Sequence, residues 1–499
     1  MSIQDTSHPG ITIARQDERF AAHSHKVIVR YFNAAPGERF EPFLRRFLAL
    51  STADKDQAWQ ETCALFDTRH KNSEAIYRRH YARVCSQVVQ QCHTELLIEL
   101  ERLPTTHQLL LGAYFSLEYS FAAAAYFNPS IVAAPDQSGV PKGGCKFILS
   151  FRAVGEGHIS SVAFRSGMLT ADGDVQMEAS SNFSSQPEIH TDALYEKILV
   201  LRKLKELGAA GNINRSVLEK LPEHFTRMEM EQAIAATCDE QHMKASDHRC
   251  VQTLRWLAES NYTVNFSCDS DISERILFPV SEVEKNGLED ARFVRFVEDD
   301  GNAWYYATYT AYDGSRIMPQ LIETGDFLTY HIRSLNGTGA HGKGFALFPR
   351  RINGEYFMIG RQNGQDITIS RSNHIHFWGD SELLQAPELP WDLVQLGNCG
   401  SPIETPEGWL LLTHGVGPMR RYVLGAILLD LEDPTKVIGH LREPLMAPDE
   451  SEREGYVPNV LYSCGAMLHK NMLVLPYAMA DSVSGIAVID MPSLLKQMK

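Results

Sequence analysis

The chain has 499 residues and a formal net charge of −15, long enough for a large core and more than one structural unit. The acidic balance argues against a general nucleic-acid or anionic-membrane binder, while leaving room for an anionic substrate held by a local cluster of Lys, Arg and His. The 9 cysteines are scattered without CxxC pairs or zinc-ligand spacing, no signal-like start is present, and no apolar run nears the roughly 20 residues that span a bilayer. A reduced, cytoplasmic compartment is therefore expected, with no nucleic-acid or membrane partner.

Along the chain, a strand is predicted at Val27 to Tyr31, and helical patterning takes over from about Glu41. Its clearest stretch runs from Ser73 to Arg102, where Tyr77, Tyr81, Val84, Val88, Cys92, Leu96 and Leu100 recur at steps of three or four, one apolar helix face. Ser73 is the expected N-cap and Pro104 ends the pattern. Residues 1–118 thus read as an N-terminal helical module. Strand patterning begins near Tyr126 and continues through Cys145 to Leu169. Helices return between about 190 and 260, with Leu194, Ile198, Leu201, Leu204 and Leu207 as one stripe and a further helix over His248 to Glu259. This segment reads as an insertion, because strand patterning resumes at Tyr262.

Four polar signatures follow, each heading a β-rich block: GLEDARFVRF, GKGFALFPRR, GNCGSPIETPEGWLLLTHGVG and YVPNVLYSCGAML. Blocks starting near Ala291, Ala346, Ser401 and Ser463 recur at roughly 55 to 60 residues, a period suited to four-stranded propeller blades. With the block at Asn128 they predict a mainly-β, five-bladed propeller over residues 119–499, whose inner strands face one shared funnel. Asn353-Gly354 and Pro406-Glu407-Gly408 supply turns inside blocks.

Asp290 stands at the head of a predicted inner strand beside Glu289. A neighbouring charge and partial burial would raise its pKa and make it a general acid; the plainer reading is a turn Asp capping the strand. Gly155-Glu156-Gly157 lacks the third glycine of a dinucleotide fingerprint, Gly342-Lys343-Gly344 lacks phosphate-loop spacing, and Cys399 and Cys464 have no His/Asp arrangement that marks a nucleophile.

Taken together, FNPSIV, SFRAV, EDAR, KGFALFP, GSPIET followed by GWL and THGV, YVLGAILLDLEDPTKVIG and YVPNVLYSCGA resemble glycoside hydrolase family 130 over roughly Tyr126 to Ile489. Ala291, Gly344 and Thr413 depart from that family's usual EDPR, KDAALFP and YHGV forms. The resemblance implies that Asp290 supplies the proton to the leaving oxygen, in some members through a sugar hydroxyl. It implies a phosphate site of Lys343, Arg361 and His414 on different blades, with Arg292 as a fourth contact, and sugar contacts from Asn128, Arg152 and Asp481. Glu404 is left between sugar positioning, a base in a hydrolase, and pairing with a buried cation. The activity implied is inverting phosphorolysis of a β-mannoside to α-mannose 1-phosphate, with inorganic phosphate as co-substrate and no metal or organic cofactor. Its rivals are an inverting β-mannosidase using water in the phosphate position and a non-catalytic carbohydrate-binding propeller. The helical additions are candidates for walling off the funnel or for contacts in a homo-oligomer.

Overall fold

The computed structural model describes residues 3–5, 10–191, 193–240 and 243–498. They separate into two compact units: one holds the described parts of Met1–His23, Ala122–Ser180 and Pro187–Lys499, the other Ser24–Phe121 with Ser181–Gln186. The helical unit thus ends at Phe121, near the expected limit of 118, but does not include the start of the chain. The chain's first strands belong with the β-rich unit, because Ile13–Phe20 pairs antiparallel with Val483–Asp490 near the C-terminus, Ile13 opposite Ile489.

The β-rich unit is mainly antiparallel sheet. Ala125–Ala133, Cys145–Val154 and Ser160–Leu169 form a first meander. Gly287–Val297, Ala303–Tyr312, Ile317–Thr324 and Thr329–Ser334 form a second, widened by Tyr262–Asn265. Gly287 pairs in parallel with Ser160 and so joins the two. Lys343–Leu347, Tyr356–Arg361, Ile367–Ser372 and Ser381–Gln385 make a third. Gln395–Asn398, Gly408–Val416, Tyr422–Leu429 and Val437–His440 make a fourth. In the last, Leu461–Tyr462, Met472–Met479 and Val483–Asp490 are completed by Ile13–Phe20.

Strands inside the sheets are buried on both faces, so they read as near-continuous apolar runs. Gly408–Val416, GWLLLTHGV, is buried at every position. Trp409 and Leu411 pack with Phe348 and Ile359, while Leu410 and Leu412 pack with Leu473 and Leu475 on the other side.

Within this unit the predicted insertion holds helices Lys197–Glu206, Asn212–Glu219, Arg227–Glu240 and Ala245–Glu259 around Leu204, Val217, Ile234 and Leu254. The expected stripe is corrected: Leu194 and Ile198 are exposed, and Val200 joins Leu204 inside.

The second unit packs five helices around Phe40, Leu44, Val84, Val88, Leu100 and Phe115. The predicted helix over Ser73 to Arg102 is two helices, Ser73–Gln90 and Thr94–Glu101, because Cys92 takes a left-handed φ of 61° and reverses the chain. Asn72, rather than Ser73, occupies the N-cap. Gly112 lets helix Thr105–Tyr114 pack closely on Ser73–Gln90: a Cβ there would fall 1.9 Å from the Tyr77 carbonyl oxygen.

Candidate active site

Three inner strands carry the same device. The pairing slips between Phe127 and Ser130, between Glu289 and Arg292, and between Lys343 and Ala346. At each slip one residue adopts positive φ: Asn128 at 48°, Asp290 at 56° and Gly344 at 79°. A bulge bends the strand and re-aims one side chain, and Asn128 and Asp290 thereby turn into one cavity of about 260 Å³. Backbone strain of this kind persists only where the surroundings hold it.

The cavity gathers Asn128, Arg152, Asp290, Arg292, Lys343, Arg361, His414 and Asp481, eight of the nine residues singled out from sequence. Glu404 is the exception. Its carboxylate takes two hydrogen bonds from Arg350, at 2.9 and 2.7 Å, and lines a separate cleft with Pro402 and Met467. Of its three readings, pairing with a cation is the one observed, and the pair is substantially exposed. Lys343 and Arg361 are not on different sheets. They are register partners in the third sheet, since one strand starts and its antiparallel neighbour ends at the cavity.

Asp290 accepts a 2.7 Å hydrogen bond from the Asn128 amide, and Arg152 lies 3.5 Å from the same oxygen while its other nitrogen binds Glu289 at 2.7 Å. Burial alone would raise the Asp290 pKa, but Arg152, Arg292, the Asn128 hydrogen bond and Lys343 outweigh it and hold the carboxyl below its ordinary value. The expected upward shift is thus reversed: Glu289 is engaged by Arg152. The raised carboxyl is Asp481, pushed up to about 6 by burial and then by the charge of Asp290, against the pull of Arg152 and Arg420.

Arg292 is fixed from behind, donating to the Asn398 carbonyl at 2.8 Å and to the Tyr462 hydroxyl at 2.6 Å. His414 is buried, and burial followed by Arg361 and Arg292 lowers its pKa far below the ordinary value. Its ring is therefore held toward the neutral form. Arg361 Nη1 stands 3.3 Å from His414 Nε2, and because arginine only donates, Nε2 accepts and the ring proton sits on Nδ1. Arg361 Nε is buried without a hydrogen-bond partner. Among the described residues the Lys343 side chain makes no hydrogen bond or ion pair, although it faces the same cavity. A free ammonium and an unsatisfied guanidinium donor on paired positions are equipped to hold a tetrahedral oxyanion.

Residues 249–499 match the family profile described as beta-1,4-mannooligosaccharide phosphorylase. A 1,2-beta-oligomannan phosphorylase of a Thermoanaerobacter species is 37% identical over 220 residues, 43% of this chain and 72% of that protein. A beta-1,2-mannobiose phosphorylase of Listeria innocua is 30% identical over 230 residues, 45% of this chain and 63% of that protein. The solved structure titled as the Listeria innocua enzyme with beta-1,2-mannobiose aligns at TM-score 0.44 and 20% identity, over 75% of this chain and 92% of that one. The chain belongs to glycoside hydrolase family 130. It is accordingly an enzyme acting on glycosides.

The family match begins inside the helical insertion, so Asn128 and Arg152 lie outside it. The fold nevertheless brings both to Asp290. Sequence reasoning missed Tyr462, Asn398 and Arg420. Tyr462 lies within the YVPNVLYSCGAML signature and Asn398 within GNCGSP, so a signal existed. Nothing local in the sequence marks a tyrosine hydroxyl as the support of an arginine 170 residues away.

Proposed function

We propose that this family 130 enzyme is an inverting phosphorylase of β-mannosides, releasing α-mannose 1-phosphate and a shortened acceptor. The reading is carried by the pairing of unpartnered Lys343 with the unsatisfied Arg361 donor in the cavity that holds Asp290. In an inverting reaction the nucleophile attacks opposite the leaving oxygen, which receives a proton. Phosphate, bound by Lys343 and Arg361 with Arg292 nearby, takes the nucleophile's place. His414 orients Arg361 through its Nε2 lone pair. Asn128, Arg152 and Asp481 hold the mannosyl unit, and Asp290 delivers the proton directly or through a substrate hydroxyl.

The low Asp290 pKa fits this scheme only with phosphate present. A bound dianion offsets the positive field of Lys343 and Arg292, so the proton affinity of Asp290 rises as the nucleophile arrives. The acid is then charged with its proton in the complex that needs it. The scaffold of this reading is a five-bladed propeller, each blade one of the five meanders, with Ile13–Phe20 closing the last.

The test is incubation with mannose 1-phosphate and a panel of acceptor sugars, following released phosphate and new disaccharide. Net synthesis is the expected result. Lys343→Ala and Arg361→Ala should each weaken phosphate use by about 2 kcal/mol, the scale of a charge-assisted hydrogen bond. Mannose release at equal rates with and without phosphate, unchanged in both variants, would replace the phosphorylase by a mannosidase.

A further inference from the structure

Two hairpins at the cavity have the same backbone. In the first sheet Arg152 is followed by Ala-Val-Gly-Glu-Gly-His158, and in the fourth His414 is followed by Gly-Val-Gly-Pro-Met-Arg420. Gly155 and Gly417 enter with φ of −115° and −107°. Gly157 and Met419 then take φ of 69° and 58°, and His158 and Arg420 take 58° and 55°. Arg152 and His414 are both in the cavity wall, and so is Arg420, six residues after His414. The shared backbone makes His158, six residues after Arg152, the counterpart of Arg420.

Between these hairpins lies the turn of the last sheet that carries Asp481. It is tied to the first sheet by Tyr126 N to Ser482 O at 3.1 Å, and the segment before that sheet is tied to the fourth by Tyr422 N to Asn459 O at 3.0 Å. Gly455 lets this segment lie flat on the turn, since a Cβ there would meet the Ala480 Cβ at 2.6 Å. The next residue, Tyr456, donates its N–H to Ser482 Oγ at 2.8 Å and packs at a tilt against His158, with ring centroids 6.0 Å apart and planes at 34°. Yet Tyr456 is 72% exposed, although the next residue, Val457, lines the cavity. An aromatic face held in fixed backbone beside a polar cavity, without burial to account for it, marks a binding surface rather than packing.

We propose that Tyr456, backed by His158, is the platform on which the acceptor-side sugar of the substrate stacks, with Arg420 donating to that sugar's hydroxyls from across the mouth. The ligand class is a neutral hexopyranose beyond the bond that is cleaved, whose C–H face meets the tyrosine ring. Tyr456 then selects chain length and acceptor without touching the reacting atoms. This inference rests on the reading of the cavity as a β-mannoside site.

Calorimetric titration without phosphate tests it, comparing mannose with β-linked mannobiose and mannotriose. Wild-type protein should gain affinity from mannose to the oligosaccharides. Tyr456→Ala should lose about 5- to 10-fold of that gain while mannose binding is unchanged, and Tyr456→Phe should keep it. At 72% exposure the substitution leaves the core intact, and an unchanged thermal transition verifies this. An undiminished oligosaccharide gain in Tyr456→Ala overturns the platform even where wild-type phosphorolysis is observed. If wild type hydrolyses the disaccharide instead, phosphorolysis fails, and the same comparison in an Asp290→Asn background decides the platform separately. Absence of oligosaccharide binding by wild type overturns both.

Discussion

Asp481 and Ala480 stand at φ of 51° and 49°, a two-residue turn that points a carboxyl into the cavity. Among the described residues that carboxyl accepts no hydrogen bond, and its pKa rises from 3.8 to about 6. The folded state therefore prefers the neutral acid. Its ionisation costs nothing below the unfolded value, begins to destabilise as pH climbs past 4, and is fully felt above 6. One pKa unit corresponds to about 1.4 kcal/mol, so the cost above that pH is about 2–3 kcal/mol. Asp481→Asn should thus stabilise the protein by about 2 kcal/mol more at pH 8 than at pH 4, measured by urea unfolding of both forms at each pH. A pH-independent difference would mean that Asp481 has an ordinary pKa. The opposed shifts of Asp290 and Asp481 were not legible from sequence, where Glu289 and Arg292 stand on either side of Asp290 with opposite charges. The decisive neighbour, Arg152, comes from another strand 138 residues away, which adjacency in the chain does not report.

At the scale of strands, the signature segments announced themselves because inner strands are buried on both faces and their bulges need Asn, Asp or Gly at positive φ. The closing strand Ile13–Phe20, IARQDERF, did not. Only Ile13, Arg15 and Phe20 of it are buried, and the exposed polar residues between hide the alternation. Arg15 is what a charged residue in a sheet becomes when it is paired. It donates to both oxygens of Glu452 at 3.0 and 3.1 Å, and Glu452 also accepts from the Tyr477 hydroxyl at 2.7 Å, all three buried. Arg15→Ala would leave the Glu452 carboxylate buried and lacking its charge partner, a loss of about 3–5 kcal/mol. Urea denaturation measures it, and a change below about 1 kcal/mol would show that the terminal strand does not bear on the stability of the last sheet.

For the whole molecule, the spacing of the signatures was enough to place strand groups, while the family resemblance singled out Lys343, Arg361 and Asp481, which the structure gathers with Asp290 in one cavity because antiparallel meanders return their strand ends to the same side. Domain limits were less legible, since the helical unit Ser24–Phe121 is bracketed by strands of the β-rich unit and a linear division cannot express that. The arrangement makes a thermodynamic prediction. Lys343, Arg361 and Arg292 place three positive groups around one cavity, so phosphate should bind the folded β-rich unit far better than the unfolded chain. At 100 times its Kd, such a ligand stabilises by about 2.7 kcal/mol. Scanning calorimetry should therefore show the transition of the β-rich unit moving upward with phosphate concentration. The helical unit has its own core around Phe40, Val84 and Phe115 and contributes no residue to the cavity, so heat absorbed by its unfolding should not follow phosphate. Lys343→Ala should flatten the phosphate dependence without lowering the transition in its absence, because the lysine makes no intramolecular ion pair to lose. A wild-type transition unmoved by tens of millimolar phosphate would remove the anion site, and with it the phosphorolytic reading.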